Sequence, residues 1–366
     1  MPHIVATATA FPPHFYSQET ISTELQAIWK RYKVNTDRVA RLHENTTVEG
    51  RYIAVPKEEY YELRGWEGPN DIYARVAVEL GEETLRKAFA EAGFGEGDGL
   101  DLADVGLFAY ASTTGIAIPT IDARLMNRLP FGTATKRMPL FGLGCVAGAV
   151  GTARIADYLK GHPTEAAVFL AEEFCSLTIQ KHDVSIANLI ACGLFGDGAG
   201  VVVMVGDEHP LAQRAARDKG ARPMPEVVDT RSVFFPGTEH FMGWEIKETG
   251  MQIVLSADVP EASRTLLADH VEAFLGDHGL GVSDVGRWVC HPGGPKVIEA
   301  IEEGLGVNGT SLQRSRDVLR EVGNVSSVSV LLILDEVMRE APPPGTWGLM
   351  MAMGPAFCAE LVLLRW

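Results

Sequence analysis

The sequence predicts an α/β protein of layered build with two similar halves, and three observations carry the prediction. Apolar strand-like runs alternate with amphipathic helix-like runs along most of the chain, the pattern of stacked sheets and helices. The composition of the 366 residues is globular, with 46% hydrophobic and 22% charged residues. A chain of this length can bury roughly three quarters of the surface it exposes when unfolded. One segment is also written twice. GLGCVAGAVGTARIADYL and REVGNVSSVSVLLILDEVM each place glycine, one chemically distinctive residue, valine, small residues and an apolar helix that reaches an aspartate. Cys145 and Asp157 are twelve apart, Asn324 and Asp335 eleven, so Cys145 and Asn324 occupy equivalent helix starts.

In chain order, IYARVAVELGEETLRKAFAEAG (72–93) has helical periodicity, and VGLFAYAST (105–113) reads as a buried strand. EAAVFLAE (165–172) and GAGVVVMVG (198–206) are further strands. The polar stretch DEHPLAQRAARDKGARPMPE (207–226) is the natural connector between halves. The second half repeats the style, with a helix over 261–279, a strand at GRWVCH (286–291) and a helix over 327–340.

Charge and cysteine usage exclude several classes. The net charge is −16, with 32 basic against 48 acidic residues and no basic run. Nucleic acid is therefore not the expected partner, nor is an acidic lipid surface. Five widely spaced cysteines without a C-x-x-C pair argue against a disulfide framework and against structural zinc. The first residues carry no basic segment followed by a long apolar one. No apolar run approaches the ~18 residues of a membrane span. The expectation is a reduced cytoplasmic protein that holds no metal.

Cys145 is the residue that asks for an explanation. A thiol in the first turn of a helix feels the partial positive charge of unpaired N–H groups, which favours thiolate. Gly142 and Gly144 permit a sharp turn; Gly148 and Gly151 cost helix propensity and imply tight packing. A free cysteine is most often a buried core residue, which is how Cys175, Cys192, Cys290 and Cys358 read. A nucleophilic thiol needs a base. Of ten histidines, His43, His162, His182, His209, His240, His270 and His278 lie in polar or amphipathic settings and read as surface residues. His291 ends a buried strand before a Pro/Gly turn, where α/β sites form. Asn324 is suited to be an N-cap, and equally suited to donate to a developing oxyanion beside His291.

Taken together and in this order, GLGCVAGAVG, GLFGDGAGVVV, HPGGPKVIEAIE and GNVSSVSVLLILDEV resemble the type III polyketide synthases, the chalcone and stilbene synthase family. MGWEIKETGMQIVLSADVP and ASTTGIAIPTID, the latter containing Thr113, fit as well. The resemblance covers nearly the whole chain and is nearest to the bacterial alkylpyrone and alkylresorcinol enzymes. It implies a thiolase fold of two pseudo-symmetric βαβαβαββ halves in a five-layered αβαβα arrangement. We place these halves at 1–210, carrying the cysteine, and 211–366, carrying histidine and asparagine. It also implies a homodimer without cofactor and a Cys145–His291–Asn324 triad. In that triad Cys145 takes the starter acyl group, His291 holds it as thiolate, and His291 with Asn324 binds malonyl-CoA during decarboxylation. Iterated condensation on a fatty acyl starter and cyclisation to a pyrone or resorcinol would follow.

Phe195 matches the first gatekeeper phenylalanine, while Ile253 stands where the plant enzymes carry the second. Cys175 and Thr178 match cavity-lining positions. The G-F-G-P-G loop is reduced to AMGPA, keeping Gly354 and Pro355. Of the cationic cluster that meets coenzyme A phosphates only Arg51 remains, with Asn45 and Glu49 at expected basic positions. Arg38, Arg41 or Lys136 are the substitutes the sequence offers, and a carrier-protein donor stays open. The glycine-rich GDGAG reads as a tight turn into a buried strand, since Asp197 would repel phosphate. The alternatives are a ketoacyl-acyl-carrier-protein synthase III-like enzyme performing one condensation, against which HPGGP argues, and a catalytically silent subunit that binds acyl chains.

Overall fold

The computed structural model describes residues 1–92, 102–217 and 224–366. Strands β1 (His3–Ala10), β2 (His14–Ser17), β3 (Gly50–Ile53), β4 (Val105–Ala111), β5 (Lys136–Leu140), β6 (Ala166–Phe174) and β7 (Asp197–Val205) belong to the first half. Strands β8 (Glu226–Phe234), β9 (Met242–Lys247), β10 (Gly250–Leu255), β11 (Val285–Cys290), β12 (Trp347–Gly354) and β13 (Cys358–Arg365) belong to the second. The main sheet has nine strands in the order β11-β12-β13-β8-β1-β7-β6-β4-β5. It is a thiolase-like α/β fold.

The repeat foreseen in the sequence is visible in the pairing. From β1 outward, β7 and β6 are antiparallel additions and β4 a parallel one. From β8 outward, β13 and β12 are antiparallel additions and β11 a parallel one. The two sub-sheets meet through one pairing, His3 with Glu226. The parallel strand β5 at the far edge of the first half has no counterpart at the other end of the main sheet among the described residues.

Two apolar helices, Ala147–Gly161 and Ser329–Glu340, pack between the sub-sheets and against each other. Strands covered on both faces do not alternate, and β6 and β7 are buried at every residue. The small residues of the first inner helix make this possible. A Cβ on Gly148 would lie 2.2 Å from the Ser327 carbonyl oxygen, and one on Gly151 2.2 Å from the Phe169 ring. The long helix Glu67–Glu91 covers the outer face at β1 and β7.

Four expectations change. The helix over 261–279 is two helices, Val259–Thr265 and Leu267–Gly276. Of the 207–226 connector, Pro210–Arg217 is helical and 218–223 lie outside the described residues, as does Gly93 of the 72–93 helix. His43 is not a surface residue: it is 1% exposed, held by Ser22 Oγ at 3.0 Å and the Leu189 carbonyl at 3.0 Å. Because a carbonyl can only accept, Nε2 carries the proton, and burial lowers the pKa of the ring to about 4. His209 is also buried. Among the described residues no helix is long and apolar enough to cross a membrane.

Candidate active site

Each of the three candidate groups sits at the boundary of a regular element. Cys145 lies in the 3₁₀ turn Gly144–Val146 that leads into the first inner helix. Gly144 has φ +55°, and a Cβ there would lie 2.6 Å from the Pro355 ring, so the turn requires glycine. Gly354 serves the same turn, since a Cβ on it would lie 2.5 Å from the Leu143 carbonyl oxygen. His291 follows β11, its N–H donating to the Met351 carbonyl at 2.9 Å.

Asn324 follows Gly323, which has φ +75° and lacks space for a Cβ, the Leu194 carbonyl oxygen being 2.7 Å from its ideal position. A parallel bridge joins Asn324 to Phe195. The Asn324 N–H donates to the Leu194 carbonyl at 2.9 Å, and the Gly196 N–H donates to the Asn324 carbonyl at 3.0 Å. Its carboxamide is oriented at both ends: Oδ1 accepts from the Ser326 N–H at 2.8 Å and Nδ2 donates to the Gly293 carbonyl at 3.3 Å.

The three side chains line one cavity of about 770 Å³. Thr113, Cys175, Phe195, Ile253 and Pro355 line it as well. Among the described residues its wall also holds Asn45 and one lysine, Lys296, with the carboxylates Glu44 and Glu299. A smaller apolar chamber of about 80 Å³ adjoins it, lined by Thr178, Ile28, Ala191 and Cys192. Cys175, Phe195, Trp244 and Ile253 border both spaces.

Arg51 does not stand where coenzyme A phosphates could meet it. It is 1% exposed, lines the inner chamber, and donates to the Phe195 carbonyl at 3.2 Å and Gln18 Oε1 at 3.0 Å. Its place in β3 turns it inward, and its role is to hold the Phe195 main chain. Of the proposed substitutes, Lys136 donates to the Tyr158 hydroxyl on the helix behind β5, while Arg38 and Arg41 are exposed on the helix Thr36–Glu44.

Burial governs the electrostatics. It pushes the Cys145 thiol up to about 11, with the nearby Glu173 adding to the rise and the Ser326 hydroxyl opposing it. It lowers His291 to about 4. Burial thus opposes the charged form of each group taken singly. A proton passed from Sγ to the imidazole creates both charges at once, and each then offsets the burial cost of the other. Such a pair can still exchange a proton as attack begins, which is base activation.

Sequence reasoning missed two groups at the sulfur. Ser326 Oγ lies 3.5 Å from Cys145 Sγ. Behind it Glu173, wholly buried, accepts from Ser327 Oγ at 2.6 Å, Thr113 N–H at 3.1 Å and Thr114 Oγ1 at 3.1 Å. The available signal was the Glu172–Glu173 pair closing an apolar strand, since a buried carboxylate demands donors. Trp244, opposite Ile253 across the β9–β10 hairpin, gave no comparable signal.

The chalcone and stilbene synthase N-terminal domain matches residues 2–208, and the C-terminal domain of the same family matches residues 226–366. The chain belongs to the chalcone and stilbene synthase family. It is a type III polyketide synthase, an acyl-transferring enzyme that forms carbon–carbon bonds. It is 43% identical over 364 residues to a 1,3,6,8-tetrahydroxynaphthalene synthase of Streptomyces peucetius subsp. caesius, covering 99% of this chain and 93% of that one. It is 32% identical over 367 residues to a putative chalcone synthase of Bacillus subtilis, covering 100% and 99%. The crystal structure of the Streptomyces coelicolor A3(2) tetrahydroxynaphthalene synthase superposes with a TM-score of 0.88 at 29% identity, covering 100% of this chain and 99% of that one.

Proposed function

We propose that this polyketide synthase loads an acyl group from a thioester onto Cys145 and extends it with malonyl units, drawn from malonyl-CoA. The observation that carries the reading is the convergence of Cys145, His291 and Asn324 on one cavity. Sγ attacks the starter carbonyl as His291 takes its proton, and the donor thiol leaves. The malonyl thioester then loses CO₂. Its carbonyl oxygen gains the negative charge, to which the Asn324 amide and an imidazole N–H donate. The resulting carbanion attacks the Cys145-bound acyl carbon. Repetition lengthens the chain, and it cyclises.

For the starter, the apolar chamber behind Phe195, Ile253 and Cys175 favours a fatty acyl tail, and a pyrone or resorcinol product. A second reading rests on the 43% identity to a tetrahydroxynaphthalene synthase: a starter itself derived from malonate and a naphthalene product. Mass spectrometry of products from malonyl-CoA alone and from malonyl-CoA with a series of acyl-CoAs decides between them. Products that require and retain a long acyl group support the first, and a naphthalene from malonyl-CoA alone supports the second. One extension per starter would instead indicate the synthase III-like alternative. Cys175→Phe should shorten the longest acyl group that loads; an unchanged length profile removes the chamber from the account. The carrier of the starter, coenzyme A or acyl carrier protein, is read from which donor loads Cys145. We also read the protein as a cytoplasmic homodimer. The edge strand β5 and the exposed Ile118 and Phe141 near it offer the surface, and light scattering tests it.

A further inference from the structure

A third hollow, of about 210 Å³, lies beyond the apolar chamber and shares Tyr60, Tyr61, Thr178 and Lys181 with it. Its charged lining is one-sided. Arg31, Arg64 and Lys181 face it, and among the described residues no aspartate or glutamate does, although the chain as a whole carries −16. The wall of the main cavity has the opposite character, with Glu44 and Glu299 against Lys296.

Two of the cations are held together. Lys181 Nζ donates to the Leu63 carbonyl at 3.0 Å and to that of Tyr60. Arg64 donates to the same Leu63 oxygen at 2.8 Å and to the Tyr61 carbonyl. An ammonium and a guanidinium thus share one acceptor. Among the described residues neither they nor Arg31 have a carboxylate within ion-pair distance. Lys181 feels the strain: burial lowers its pKa and the Arg64 charge lowers it further, with the Glu62 charge opposing. Like charges gathered in a partly enclosed space with no carboxylate in ion-pair contact are stabilised by a bound anion. The lining also holds the flat rings Tyr32, Tyr61 and Trp66 among aliphatic and polar residues, and these rings suit a planar ligand.

We propose that this hollow is a second binding site, for an oxyanion carried on a planar aromatic ring, with Lys181 and Arg64 taking the charge and Trp66 and Tyr32 the ring. The site does not depend on the chemistry at Cys145. Isothermal titration of the full chain with 2-naphthoate, 2-naphthalenemethanol and inorganic phosphate tests it. Naphthoate should bind, the neutral alcohol should not, and phosphate should compete only weakly. Arg64→Gln should weaken naphthoate binding about tenfold or more, the scale of one charge-assisted hydrogen bond, as should Lys181→Met; Lys181→Arg should restore it. Equal binding of the alcohol, phosphate binding as tight as naphthoate, or naphthoate binding indifferent to Arg64→Gln would each overturn the assignment. Arg64 lines this hollow and not the chamber assigned to the starter, so Arg64→Gln separates this site from acyl loading at Cys145, which is read by mass.

Discussion

The two inner helices begin alike and end up with different chemistry. Each is approached through a glycine at positive φ, Gly144 and Gly323, and a 3₁₀ turn, Gly144–Val146 and Ser326–Val328. Each then runs between the sub-sheets. At the head of the first stands a thiol whose side chain hydrogen-bonds to the Ser326 hydroxyl. At the head of the second stands a carboxamide fixed by Ser326 and Gly293. One backbone solution therefore serves two needs. A nucleophile must be free to leave its resting contact, and an oxyanion donor must already be aimed.

Exchanging the chemistry gives the largest expected effect. Cys145→Ala should abolish the acyl adduct seen by intact-protein mass spectrometry. Asn324→Ala should keep the adduct and slow malonyl decarboxylation by about 10²–10³-fold, the usual cost of one oxyanion donor. Loss of the adduct in Asn324→Ala with normal decarboxylation would break the distinction.

Disturbing the shared backbone comes next. Gly323→Ala should cost about 2–3 kcal/mol in urea unfolding, because its φ and ψ of +75° and −172° belong to a glycine region and the new methyl meets a carbonyl oxygen. Gly144→Ala, whose methyl meets the Pro355 ring instead, should cost less. Equal costs would mean that both helix starts are mechanically the same.

An effect of similar size, confined to acid pH, contrasts two buried histidines, His43 in the first half and His291 in the second. Both have folded pKa values of about 4 against an ordinary value near 6.5. The unfolded chain therefore binds more protons between about pH 6.5 and 4. Each ring's contribution, about 3 kcal/mol, is complete above pH 6.5 and lost as pH falls to 4. His43→Gln should shrink the acid-induced loss of stability by about that amount, without altering acyl loading at pH 7.

Much of this was legible in the residues. Strand–helix alternation and the duplicated segment foretold the layered halves, and the helix starts at Cys145 and Asn324 were readable because glycine punctuates both. His43 was misread because TDRVARLHE is polar overall, yet it lies four residues after buried Val39 on the same helical face, so the periodicity held the answer. Arg51 was placed by its offset in a motif, whereas the β2–β3 pairing sets which way it points. The break at Leu266 left no trace, since LLADH continues an unbroken helical pattern. Ser326 and Trp244 meet the cavity only through tertiary packing that no local pattern encodes, whereas the Glu172–Glu173 pair closing an apolar strand was a local signal of buried donors.

The bridge between Phe195 and Asn324 is built from main-chain atoms alone, so it is indifferent to which side chains occupy those positions. Chimeras that join the front of one relative to the back of another should inherit the same spacing between cavity wall and amide. Such hybrids would let the two contributions to product choice be sorted by inheritance rather than by point substitution.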